Sequence, residues 1–134
     1  MNMVFYGEYE VSMTSGGRVA LPKKIREALS ETEFVVSRGF TNCLAGYDKK
    51  DWEKRASELL TVSLLEKEHI EKRRVLFSST VYITIDDQGR ALLPKNLRGF
   101  AGIESRVMII GVGDHFELWD KTAWTEYMNT IEKE

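Results

Sequence analysis

Two arginines, Arg18 and Arg90, each follow a glycine in matching stretches, TSGGRVALPKKIR from Thr14 to Arg26 and DDQGRALLPKNLR from Asp86 to Arg98. Arginine carries a rigid planar fork of donors. That fork can bind guanine O6 and N7 together or grip a phosphate with two parallel hydrogen bonds. Arg18 and Arg90 are therefore candidates for contact with base edges in a groove. Lys23, Lys24, Arg26, Lys95 and Arg98 are candidates for phosphate contact, which positions a protein without specifying sequence. Arg26 and Arg98 have a competing reading, an ion pair inside the chain, because a short helix would lay them against the core. Asp86 stands four residues before Arg90. It can pair with that arginine and fix its aim, or it can satisfy turn N–H groups. Gly17 and Gly89 supply the positive φ that a tight turn requires.

Other chemistries find little footing. There is no P-loop, no G-x-S-x-G, no H-E-x-x-H and no Cys–His pairing. Asp86, Asp87, Asp114 and Asp120 have no arrangement that assigns them opposing acid and base roles. The reading is of a non-enzyme without a cofactor. One Cys and two His make a structural zinc site improbable, and no metal is expected. Cys43 reads as a small buried hydrophobe, and a lone cysteine allows no internal disulfide. Trp52, Trp119 and Trp124 fall at core spacing and read as packing. His69 lies in a charged helix and reads as solvated. His115 follows Asp114 in a turn with no partner visible.

The elements that position the arginines come in duplicate. The offset that pairs Arg18 with Arg90 also pairs Phe5 with Phe77, Val11 with Ile83, Pro22 with Pro94, Val35 with Val107, Asp48 with Asp120 and Trp52 with Trp124. Such a repeat sets the architecture. Each copy predicts strand, tight turn, strand, helical turn, two strands and helix. Tyr9, Val11 and Met13 alternate with polar residues, as do Val81, Ile83 and Ile85, the period of a half-buried strand. Pro22 and Pro94 fit the first position of a short helix. Phe34 to Ser37 and Val107 to Ile110 read as buried strands, with Cys43 to Tyr47 and Phe116 to Trp119 as partners. Asp48 and Asp120 read as N-caps. Apolar residues at 52, 56, 59 and 60, and at 124, 127, 128 and 131, give each closing helix one oily face. The expected units are residues 5–58, a linking stretch 59–76 with a charged, solvated helix from about Leu64 to Leu76, and residues 77–130. A unit of about fifty residues is too small for a comfortable core of its own, so the copies should pack together as an intrachain mimic of a dimer.

The chain has 134 residues and a formal net charge of −2, which argues mildly against nucleic-acid binding. The distribution matters more. Gly16 to Arg26 and Arg90 to Arg98 carry bases and no acids, while acids collect at Glu8 and Glu10, from Glu27 to Glu33, between Glu53 and Glu71, and at Glu132 and Glu134. Each copy therefore presents a basic island on an acidic protein. No apolar run is long enough to span a membrane. MNMVFYGEYE lacks the basic start of a signal peptide. A cytoplasmic protein is the default expectation.

The doubled G-R-x-x-L-P-x-x-x-R, together with LFSSTVYITIDDQGRALLPKNLR and RGFTNCLAGYDKKDWEK, resembles the MraZ family, built from two tandem SpoVT-AbrB (swapped-hairpin) modules. The resemblance covers essentially the whole chain. It implies an α+β, β-rich fold of two AbrB-like β-barrel modules forming a pseudo-dimer, with helices outside. It implies a ring-shaped homo-oligomer, cytoplasmic and nucleoid-associated. It further implies sequence-specific binding to direct repeats of double-stranded DNA upstream of the division and cell-wall gene cluster, including the protein's own promoter. The family signature is Asp-x-x-x-Arg in each copy. The second copy keeps it as Asp86 and Arg90. The first has Thr14 in place of the Asp, and Gly16 where Lys is frequent. The rival reading is an AbrB-type oligomeric interaction or antitoxin-like protein with weak or lost DNA binding. Antitoxins of that type usually carry one module and a disordered tail, whereas this chain carries two modules and a short Glu-rich end.

Overall fold

The computed structural model describes residues 4–61 and 65–132. Leu64 and Glu134, named above in the linking helix and the acidic end, lie outside the described residues, as do the first three residues of MNMVFYGEYE. The first copy supplies β1 (Glu8–Ser12), β2 (Arg18–Ala20), α1 (Lys23–Ala28), β3 (Glu33–Arg38), β4 (Leu44–Asp48) and α2 (Lys49–Leu59). Helix α3 (Lys67–Ser79) connects it to β5 (Val81–Thr84), β6 (Arg90–Leu92), α4 (Lys95–Ala101), β7 (Arg106–Gly111), β8 (Phe116–Asp120) and α5 (Lys121–Glu132).

The copies interleave. One six-stranded antiparallel sheet runs β1-β7-β8-β4-β3-β5, and a separate two-stranded ribbon pairs β2 with β6. Strand β1 of the first copy pairs with β7 of the second, and β5 of the second pairs with β3 of the first. Each copy thus gives its first strand to the other's sheet and its second strand to a shared ribbon. The pairings form this sheet and ribbon rather than one continuous ladder of strands. The alternation read from the sequence holds: Tyr9 and Val11 are half-buried between exposed neighbours on β1, and Ile83 is buried between exposed neighbours on β5.

One core belongs to both copies. Phe34, Val36 and Leu44 pack with Val107, Ile109, Phe116 and Leu118, beneath Val19, Leu21, Ile25, Ala91, Leu93 and Leu97. Strands β3 and β7 are buried on both faces. A second layer explains this: Trp52 and Ala56 of α2 pack on Val35, while Ala123 and Trp124 of α5 pack on Met108, Ile110, Trp119 and Cys43. Trp52 and Trp119 are buried, as expected of packing residues. The closing helices do not bury their whole oily faces. Leu59 and Leu60 remain exposed, and no residue of α5 is buried.

Both caps form. The Asp48 carboxylate accepts from the N–H of Asp51 and, at 2.6 Å, from that of Ser30. Asp120 accepts from the N–H of Ala123. Asp48 is buried and serves two donors, so Asp48→Ala strips a cap and orphans a second N–H. It is expected to cost about 1–3 kcal/mol, more than Asp120→Ala, which removes one bond. Urea unfolding of the two variants checks this.

Three local expectations shift. Pro22 and Pro94 sit at the N-caps, one residue before the first helical position, and their carbonyls start the first turn. Helix α3 continues past Leu76 through Phe77, Ser78 and Ser79. It is not wholly solvated, because Phe77 packs edge-on against Trp52 and the buried Ser79 hydroxyl accepts from the Arg38 N–H. Phe5, the counterpart of Phe77, instead lies in the main core against Phe116. The sequence repeat is therefore not a repeat of environments at this pair.

Candidate nucleic-acid interface

The two basic islands meet on one ribbon. In the β2–β6 register Arg18 stands opposite Leu92, Val19 opposite Ala91, and Ala20 opposite Arg90. Side chains alternate across a strand, so Val19 and Ala91 point inward, where they are buried. Arg18, Ala20, Arg90 and Leu92 point outward together. In that register Arg18 and Arg90 are diagonal neighbours, a relation with Cα spacing of roughly 7–8 Å. Ala20 and Leu92 were not singled out from the sequence. The two-residue alternation in R-V-A and R-A-L was the signal that could have found them.

The turns are built reciprocally. Gly17 and Gly89 have φ of +94° and +76°, as the tight turns require. The Gly89 carbonyl accepts from the Leu21 N–H, and the Gly17 carbonyl from the Leu93 N–H, at 2.9 Å each. Each copy's turn is thus bonded to the other copy's strand. Arg26 and Arg98 lock this crossing. Their Nε atoms donate to the carbonyls of Leu21 and Leu93, each at 3.0 Å. A β-carbon on Gly17 would lie 2.8 Å from the Arg98 guanidinium carbon, and one on Gly89 would lie 3.1 Å from that of Arg26. No ion pair of either arginine occurs among the described residues. Each instead braces a backbone carbonyl and packs over the opposite turn.

The two turns differ in their acids. Asp86 accepts from the N–H groups of Gln88 and Arg90 at 2.8 and 2.9 Å, and its other oxygen pairs with Arg90 Nε at 3.3 Å. Both roles weighed for Asp86 are present. The Arg90 N–H, together with the Gln88 N–H and the Arg90 charge, holds its carboxyl below the usual range. In the first copy Thr14 Oγ1 accepts from the Arg18 N–H at 3.0 Å and offers no charge. Arg18 is exposed, and no ion pair or side-chain hydrogen bond of its guanidinium occurs among the described residues. The substitution of Thr for Asp keeps the turn and frees the arginine. Lys23, Lys24 and Lys95 are exposed at the starts of α1 and α4, with no acidic residue in the first turn of either helix. The ribbon sets two arginines on one outward face with a carboxylate on only one of them, which suits an anion.

The histidines differ from expectation. His69 is half-buried and lies 3.5 Å from Glu66. His115 is not without partners: its Nδ1 lies 2.7 Å from Asp114 and its Nε2 3.1 Å from Glu117. Glu117 also accepts from Trp119, Arg55 of α2 bridges Asp114 and Asp51, and Tyr47 stacks on the imidazole. The spacing Asp-His-x-Glu sets His115, just before β8, two residues from Glu117 on it, a signal available in the sequence. The Glu117 hydrogen bond, opposed by burial and joined by Asp114, raises the His115 pKa. A raised pKa contributes stability that is complete below the unfolded value and is lost as pH rises through the folded value. Thermal melting of the wild type should therefore fall on moving from about pH 6 to pH 9, near the ordinary histidine range, and His115→Gln should flatten that slope. Cys43 is buried, and its thiol pKa is pushed up to about 11 by burial and by the Glu117 charge.

The geometry agrees with what related chains indicate. The family described as "MraZ protein, putative antitoxin-like" matches residues 4–75 and again 76–134. A protein of Acetivibrio thermocellus named transcriptional regulator MraZ is 40% identical over 124 residues, 92% of this chain and 86% of its own length. Relatives of the same name from Thermoanaerobacter sp. (strain X514) and Roseiflexus sp. (strain RS-1) are 40% and 36% identical, covering 94% and 96% of this chain and 87% and 90% of their own lengths. Two tandem matches and near-complete coverage by these relatives coincide with two interleaved copies in one fold, and the chain belongs to the MraZ family.

Proposed function

We propose that the chain is a DNA-binding transcriptional regulator, not an enzyme, and that the β2–β6 ribbon reads its operator. The observation that carries this is the outward face on which the register places Arg18 and Arg90 together. The names of its relatives support the regulatory role. A two-stranded ribbon fits the major groove. Arg18 and Arg90 contact base edges, and Lys23, Lys24 and Lys95 contact phosphates. Arg26 and Arg98 hold the turns in place and add charge beside the backbone. Gly17, Gly89 and Asp86 shape the turns.

The finer reading has the protein bind direct repeats upstream of the division and cell-wall gene cluster, including its own gene, as a ring in the nucleoid. A ring suits this chain because one ribbon offers few contacts, and repeated ribbons on tandem sites make each later contact effectively intramolecular. The exposed Tyr127 and Ile131 on α5 leave an apolar surface for such assembly. Residues 5–58 and 77–130 act as the two modules joined by 59–76. One observation favours the rival oligomeric or antitoxin-like role, namely that Thr14 leaves Arg18 without the carboxylate that steadies Arg90.

Fluorescence anisotropy with the duplex upstream of the protein's own gene, against a scrambled duplex across a salt series, tests the proposal. Preference for the native duplex with steep weakening in salt is expected. Equal binding of both duplexes at every salt concentration would overturn it in favour of the interaction protein.

A further inference from the structure

We infer that Leu92 is a specificity-determining residue that reads a thymine 5-methyl group beside the base contacted by the ribbon arginines. This rests on the proposed reading of DNA by the same face.

Leu92 is 46% exposed on β6. It is the one exposed large aliphatic side chain on a strand among the described residues. The fold does not need it for packing, because Ala91 and Leu93 fill the core from the opposite face. It stands directly opposite Arg18, so an apolar group lies within a face whose other long side chains are cationic. Leucine cannot bind a phosphate or a base nitrogen. In the major groove the apolar feature is the thymine methyl, and aliphatic contact with it distinguishes A·T from the other pairs.

The spacing agrees. Directly opposite residues in an antiparallel pair have β-carbons about 4.5–5.5 Å apart, and base pairs rise about 3.4 Å each. With Arg18 on a guanine, Leu92 reaches an edge one or two base pairs away. The equivalent residue of the first copy is Ala20, whose single methyl falls short of that depth. The ribbon is two-fold in its backbone and one-sided in this contact, so one half of the bound site should carry the methyl preference.

The test uses the full chain and the duplex upstream of its own gene, with each thymine replaced in turn by deoxyuridine, which lacks only the methyl. Wild type is expected to lose affinity about threefold to tenfold at a position one or two steps from a guanine. Leu92→Ala should bind the unmodified duplex more weakly and lose nothing further at that position. Its fold is checked by an unchanged melting temperature. Binding that prefers the native duplex yet is insensitive to every replacement, or equal sensitivity in Leu92→Ala, would overturn the inference alone. No preference over scrambled duplex would overturn it together with the DNA reading on which it rests.

Discussion

Replacing Arg18 and Arg90 together with Ala is expected to weaken binding to the native upstream duplex by at least about thirtyfold. Each bidentate base contact discriminates by about 1–3 kcal/mol, and every 1.4 kcal/mol is tenfold. Binding to scrambled duplex should fall far less, because Lys23, Lys24 and Lys95 remain to hold phosphates. The single variants should differ. Arg90 is held by Asp86 and so arrives partly ordered, whereas Arg18 has no carboxylate beside its turn oxygen. Less freedom is lost when a pre-aimed side chain binds. Arg90→Ala is therefore expected to cost more sequence preference than Arg18→Ala. Anisotropy titrations of the three variants on both duplexes measure this directly.

Phe116→Ala is expected to lower the free energy of unfolding by about 3–5 kcal/mol. The ring is fully buried. It lies 5.2 Å from the Phe5 ring and 5.7 Å from the Phe34 ring, centroid to centroid. It also fills the space over Gly46, where an added β-carbon would meet it. All three of those neighbours belong to the first copy, so the deletion opens a cavity at the junction of the two copies. A loss of that size is a large share of the 5–15 kcal/mol that holds an ordinary domain. One cooperative transition, shifted to lower denaturant, is expected, because the copies share a single core. Two separate transitions would contradict that sharing.

Much of this fold was legible because the sequence states it twice. The alternation around Val11 and Ile83, the caps at Asp48 and Asp120 and the turns at Gly17 and Gly89 depend on local patterns of two to four residues. The exchange of strands between copies does not. Nothing local tells β1 to pair with β7 rather than with a strand of its own copy; that choice follows from the shared core. Arg18, Arg90 and the three lysines were legible as cations around a turn. That the two arginines share one face was not, because it depends on the cross-copy register of β2 with β6. The same register hid Leu92. For Arg26 and Arg98 the sequence left phosphate contact and an ion pair both open; the bracing of a backbone carbonyl and of the opposite turn was not legible, because those partners carry no charge and leave no mark in composition. His115 reads as lacking a partner although Asp114 and Glu117 stand beside it in the sequence; only Arg55 and Tyr47, which complete its surroundings from the other copy, were out of local reach.

The claim that the ribbon face meets DNA can be tested at a single thiol. Ala20 is exposed on β2, opposite Arg90. The one native cysteine, Cys43, is buried with its pKa raised, so Ala20→Cys creates the one readily reactive thiol. Its rate of modification by a small thiol reagent should be measured with saturating native duplex and with scrambled duplex at the same concentration. Strong protection by the native duplex and little by the scrambled one is the expected result. An unchanged rate while anisotropy shows the native duplex bound would contradict the account and move the DNA to another face of the protein.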